Sequence, residues 1–175
     1  MNKAVFLDRD GVVNEAIVRN GVPFSPKSMH EVEIIEDVKE CVIRLEKLEF
    51  QIVVVTNQPD IAREKTSLSQ VNEIHDLIKK VTGIKNFFIC PHDDVHSCEC
   101  RKPKSGLLVQ AAKLLKIDLE RSYIIGDRWK DIEAGQNVGC KGIFINRNYS
   151  EKPPKLPYTE VKSLSEATNI IVGAI

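Results

Sequence analysis

Asp8 and Asp10 flank one arginine, stand just ahead of Gly11, and follow directly on the apolar run at residues 3–7. In an extended segment residues two apart point the same way, so both carboxylates are expected in one small space, with Gly11 letting the chain turn sharply. A second apolar run, residues 123–125, leads into Gly126-Asp127, and Asp131 follows one helical turn later. Thr56, Asn57 and Gln58 close a third run at 52–55 and offer hydroxyl and amide donors to phosphoryl oxygens, while Lys102 stands beside Arg101 just ahead of Pro103. Carboxylates brought together repel: two unit charges about 4 Å apart cost roughly 4 kcal/mol at an effective dielectric near 20. A hard divalent cation relieves that repulsion, and an all-oxygen ligand set suits Mg²⁺. Carboxylates, a hydroxyl and an ammonium at four strand or loop ends outline a phosphoryl-transfer site.

A different chemistry is written at residues 90–100. Cys90, His92, Cys98 and Cys100 place three thiols and an imidazole within one short loop. That donor set suits tetrahedral Zn²⁺ with no position open to substrate, so a structural staple is expected; His96 and Asp93 are lesser candidates for the same ion. Cys41 and Cys140 read as buried single cysteines.

These groups need a scaffold. Short apolar runs at 3–7, 52–55, 86–89, 123–125 and 142–145 read as strands buried on both faces. Between them, Val38, Val42, Leu45 and Leu48, then Val71, Ile74, Leu77 and Ile78, then Leu107, Leu108, Ala111, Ala112, Leu114 and Leu115 recur at helical spacing. A fourth helix is expected from Lys130 to about Asn137 and a last one after Ser165, beyond a proline-rich connector at 151–157 that leads to a final strand. Alternation of strand and helix predicts an α/β, Rossmann-like three-layer sandwich with a parallel central sheet and no large cap domain. Ligands in such folds collect beyond the carboxyl ends of the strands.

At 175 residues the chain is expected to form one domain spanning 1–175. Its 25 basic residues balance 25 acidic ones, so no broad positive field exists for nucleic acid or an anionic membrane. No apolar run is long enough to span a bilayer. The first residues lack the zones of a signal peptide, which predicts a cytoplasmic protein. A monomer acting on a small phosphorylated metabolite is the expectation.

Taken singly, each motif has an ordinary structural reading as a turn, a cap or a solvated charge; their joint order is what is specific. Asp8-x-Asp10-Gly11, Thr56-Asn57, Lys102 and Gly126-Asp127-x-x-x-Asp131 resemble the four signature motifs of the haloacid dehalogenase superfamily of phosphatases, over nearly the whole chain. The resemblance implies that Asp8 is the nucleophile and that Asp10 is the acid and then the base. It implies that Thr56 and Lys102 steady the phosphoryl group. Magnesium would be held by the Asp8 side chain, the Asp10 main-chain carbonyl and Asp127, with Asp131 behind them. Cys-x-His followed by Cys-x-Cys-Arg-Lys-Pro further resembles the subgroup of heptose 1,7-bisphosphate 7-phosphatases and histidinol-phosphate phosphatases, which carry a zinc-stapled loop and no large cap. The heptose substrate is the first expectation and histidinol phosphate the second. Asn57, Arg101 and Arg128 are expected on the substrate side, the two arginines facing a second phosphate, unless they are surface ion pairs. A zinc-stapled interaction module without activity is the rival from another class. Val12, where threonine is frequent, and Pro59-Asp60, where serine and glycine are frequent, depart from the pattern.

Overall fold

The computed structural model describes residues 1–174. Its sheet has six parallel strands in the order β5-β4-β1-β6-β7-β8, where β1 is Lys3–Leu7, β4 Phe50–Asn57, β5 Asn86–Cys90, β6 Tyr123–Gly126, β7 Lys141–Ile145 and β8 Thr159–Val161. Side chains alternate across each strand. Val5, Leu7, Ile52, Val54, Ile125 and Ile143 therefore face one core, shared with helices α1 (Val38–Lys47), α2 (Leu68–Thr82) and α5 (Leu164–Gly173). Ala4, Phe6, Val53, Val55 and Ile124 face the other, closed by α3 (Gly106–Leu115) and α4 (Trp129–Gln136). The three layers and the absence of a large cap are as the sequence predicts. β5 differs: it is an edge strand bonded only to β4, and four of its five residues are only partly buried.

Local chemistry sets the boundaries. α2 starts at a capping box between Ser67 and Gln70 and ends at Gly83, whose φ of 84° supplies the left-handed turn. α5 begins earlier than expected because Ser163, not Ser165, caps it by accepting from the Glu166 amide at 3.1 Å. The sequence reading omits an antiparallel hairpin, β2 (Ile17–Arg19) and β3 (Val22–Phe24), joined by Asn20-Gly21 with φ of 51° and 75°. An Asn-Gly pair is the standard signal for such a two-residue turn. The flanking strands are only three residues long and largely exposed, so no alternation marks them. Among the described residues no helix is long and apolar enough to cross a membrane.

Candidate active site

β1, β4 and β6 lie side by side, so their carboxyl ends deliver Asp8, Thr56 and Asp127 to one edge of the sheet. The chain then turns at once. The Arg9 carbonyl accepts from the amides of Val13 and Asn14, and Gly11 takes a φ of 94°. Arg147, from the segment after β7, donates twice to the Gly11 carbonyl at 3.0 and 3.1 Å and locks that turn.

Lys102 is 2 % exposed and sits at the centre. Its Nζ lies 2.7 Å from Asp8 Oδ1, 2.6 Å from Asp131 Oδ1 and 2.8 Å from the Val55 carbonyl. Asn57 holds the Lys102 backbone through both ends of its amide, at 3.0 and 3.1 Å. The Asn57 side chain borders the cleft, but its polar atoms are engaged in placing the lysine. Asp131 spends its other oxygen on the Arg128 amide, 3.0 Å away.

One lysine does not balance three buried acids. Asp8, Asp127 and Asp131 each bring a carboxylate oxygen within 4.8 Å of the others. Burial first, and the Asp131 carboxylate next, push Asp8 up to about 6 despite Lys102. Burial, then Asp8 and Asp131, push Asp127 well above the usual carboxylate range. Tyr149 donates to Asp127 Oδ2 at 2.8 Å, yet Asp127 Oδ1 is buried without any partner. An orphaned acceptor in an all-oxygen acidic cluster fits a hard cation such as magnesium.

Asp10 is held apart from this cluster. Arg9 grips it with Nε at 2.9 Å and Nη2 at 3.1 Å, and Asn14, Ser25 and Gln58 donate at 3.0, 2.7 and 3.0 Å. Burial would raise the Asp10 carboxyl, but the Arg9 guanidinium and these donors hold it below the usual range. Gln58 also donates to Thr56 Oγ1 at 2.8 Å. Arg9, Asn14, Ser25 and Tyr149 are residues that sequence reasoning missed. Only Arg9 carried a signal: between two acids that face the cleft, it must turn into the core and find partners there.

A groove of about 240 Å³ continues from the cleft between the hairpin and the cysteine loop. Arg63, Arg101, Arg128 and Lys130 line it, as do Asp60 and Asp94. Each arginine also has an acidic partner: Arg101 Nε donates to Asp94 at 2.7 Å, Arg63 grips Asp93 at 2.6 Å, and Arg128 is paired with Glu151. Arg101 and Arg128 thus line the groove and form ion pairs at once.

The four loop side chains are gathered. Cys90, Cys98 and Cys100 Sγ and His92 Nδ1 lie 3.2–3.6 Å apart in five of their pairs. Disulfides are excluded at that separation, whereas a tetrahedron with Zn–S near 2.3 Å has edges of about 3.8 Å. Burial, and then the hydrogen bond with Cys100, push the Cys90 thiol strongly up. Three thiols and an imidazole gathered at this spacing are a donor set that fits zinc. His96 and Asp93 stay outside: His96 Nδ1 accepts from the Asp93 amide at 3.1 Å, and Asp93 is engaged by Arg63.

The chain is 33% identical, over 94% of both chains, to D-glycero-beta-D-manno-heptose-1,7-bisphosphate 7-phosphatase of Helicobacter pylori, and 36% identical over 81% of its length, and 78% of the relative's, to the enzyme of the same name from Haemophilus influenzae. The family model described as HAD-hydrolase-like matches residues 99–167. This chain belongs to the HAD-like hydrolase family. The HAD-like chain is also 34% identical, over 81% of its length and 40% of the relative's, to the histidine biosynthesis bifunctional protein HisB of Blochmanniella floridana. Its fold matches the crystal structure of D,D-heptose 1.7-bisphosphate phosphatase from B. bronchiseptica complexed with magnesium and phosphate, with a TM-score of 0.86, 24% identity and 99% of each chain covered.

Two departures of this HAD-like chain now have places. Val12 is fully buried in the α1, α2 and α5 core, so its apolar side chain fills a packing position. Asp60 lies in the groove wall 3.5 Å from Arg63 and sets a carboxylate among the basic groups.

Gly11 gives a first test. A Cβ there would collide with Asp127 Oδ2, on backbone that L residues avoid. Gly11→Ala is expected to lower stability by about 2–5 kcal/mol and to displace Asp127. Urea unfolding measures this, and a loss below about 1 kcal/mol would contradict the close approach.

Proposed function

We propose that this chain is a magnesium-dependent phosphatase that hydrolyses D-glycero-D-manno-heptose 1,7-bisphosphate at the 7-phosphate through an aspartyl-phosphate at Asp8. One observation carries the reaction type: three buried carboxylates meet around Lys102 at the carboxyl edge of the parallel sheet, with one Asp127 oxygen unpartnered. The names of the relatives support the substrate.

In the first half-reaction an Asp8 carboxylate oxygen attacks phosphorus in line. The bond to phosphorus forms as the P–O bond to the sugar breaks, and Asp10, which must first take up a proton against the hold of Arg9 and its other donors, passes that proton to the departing oxygen. In the second, Asp10 takes a proton from water as the water oxygen attacks phosphorus and Asp8 is released. Two half-reactions let one acid serve twice. Lys102 holds Asp8 Oδ1 and so fixes the rotation of the nucleophile. Thr56, buried at the end of β4, faces the cleft as a further phosphoryl contact. Asp8, Asp127 and the Asp10 main-chain carbonyl would hold magnesium, which when bound supplies charge neutralisation for the phosphoryl group. Arg101 and Arg128 are proposed to meet the second phosphate of the sugar.

Histidinol phosphate is the second reading, favoured by the likeness to HisB. Released phosphate from a panel of sugar bisphosphates, sugar monophosphates and histidinol phosphate decides between them. The heptose bisphosphate is expected to lead in kcat/KM by about tenfold or more. Preference for histidinol phosphate would overturn the substrate, and no release from any ester would favour the inactive module.

A further inference from the structure

Arg9 is fully buried, and so is His75, at 2 % exposure, in the middle of α2. Nothing in the reaction proposed above uses either side chain. Arg9 Nη1 lies 3.2 Å from His75 Nε2, while Nε and Nη2 of the same guanidinium bind the two oxygens of Asp10. Arginine has only donors. His75 Nε2 must therefore be the acceptor, which puts the ring proton on Nδ1. The imidazole is itself clamped, stacked on Phe87 of β5 with centroids 4.6 Å apart and planes inclined by 26°. Burial first, and the Arg9 charge next, push His75 down to about 3, so the ring stays neutral and keeps its lone pair for Arg9.

We propose that His75 is a positioning residue for Asp10: by accepting from Arg9 Nη1 it fixes the guanidinium plane, and that plane fixes the Asp10 carboxyl for proton transfer at the leaving oxygen. A guanidinium bonded at one edge only can rotate about its own stem. One bonded at two edges, to groups on the turn after β1 and on α2, cannot, and Asp10 inherits that orientation.

This inference rests on the phosphatase reading, and leaving-group dependence separates the two. An alkyl phosphate such as a sugar phosphate needs a proton on its departing oxygen; p-nitrophenyl phosphate, whose phenolate leaves well, needs little help. In kcat/KM, which reports the steps through breakage of the ester bond, His75→Phe is expected to lose about 10- to 100-fold on the sugar phosphate and less than about threefold on the aryl ester. His75→Gln places an amide oxygen at similar reach and is expected to recover the sugar phosphate rate to within about threefold of wild type. Where His75→Phe does not fold, His75→Asn serves in its place, being polar but too short to reach Arg9. Equal losses on both esters, no loss, or failure of His75→Gln to rescue would each overturn the positioning role while the wild-type activity stands. A wild-type protein that hydrolyses neither ester would overturn the phosphatase reading and this inference with it.

Discussion

Asp8→Asn is expected to lower phosphate release by about 10³-fold or more and to leave the fold intact. The substitution keeps the shape of the side chain and removes the charged oxygen that would form the bond to phosphorus. Lys102 retains Asp131 at 2.6 Å and the Val55 carbonyl at 2.8 Å, so the lysine does not become an unpaired buried charge. Asp8 is also a group whose folded-state pKa lies above its ordinary value. Its ionised form is therefore disfavoured by folding at neutral pH, and neutralising it relieves repulsion with Asp131 and Asp127. In metal-free protein the variant should melt at the same temperature as wild type or higher. Phosphate release on the preferred sugar phosphate and a thermal melt, taken together, check both halves. Turnover within about tenfold of wild type would remove Asp8 from the nucleophile role.

The second large effect is expected at the cysteine loop. Protein purified without added metal should carry about one zinc per chain, measured by elemental analysis. Cys98→Ser should lose it and with it about 3 kcal/mol of stability, roughly 6–12 °C in Tm for a chain of this size. The reason lies in the loop itself. Cys98 and Cys100 are only partly buried, and few apolar side chains of the loop reach the core. Activity should fall as well, since Cys100 is followed at once by Arg101 and Lys102, and since the loop holds Asp94 against Arg101 and Asp93 against Arg63. Metal-free protein as stable as a zinc-loaded sample would sink the staple.

Much of the architecture was legible because parallel strands buried on two faces leave continuous apolar runs, and such runs ended at Leu7, Val55 and Ile125 just before the polar groups of the cleft. The clustering of three cysteines and a histidine was legible because they lie close together in the chain and their types are restricted. What escaped comes from residues whose partners are remote in sequence. Ser25 reaches Asp10 from the hairpin and Tyr149 reaches Asp127 from beyond β7, and neither has a neighbour that marks it. Asn57 shows a related limit: its position beside Thr56 announced a polar group at the cleft, but only the fold reveals that its amide is bound to the Lys102 backbone. The ion pairs of Arg101 and Arg128 likewise depend on where Asp94 and Glu151 happen to fold.

The short hairpin borders the cleft, its Pro23 and Phe24 forming one wall beside Ser25. Under the proposed chemistry, an acyl phosphate at Asp8 forms in reach of bulk solvent, which directs the phosphoryl group to water in preference to a second alcohol. Discrimination among esters then falls to the open walls of the trough, and exchanging their charges should retune choice of substrate without rebuilding the machinery beneath.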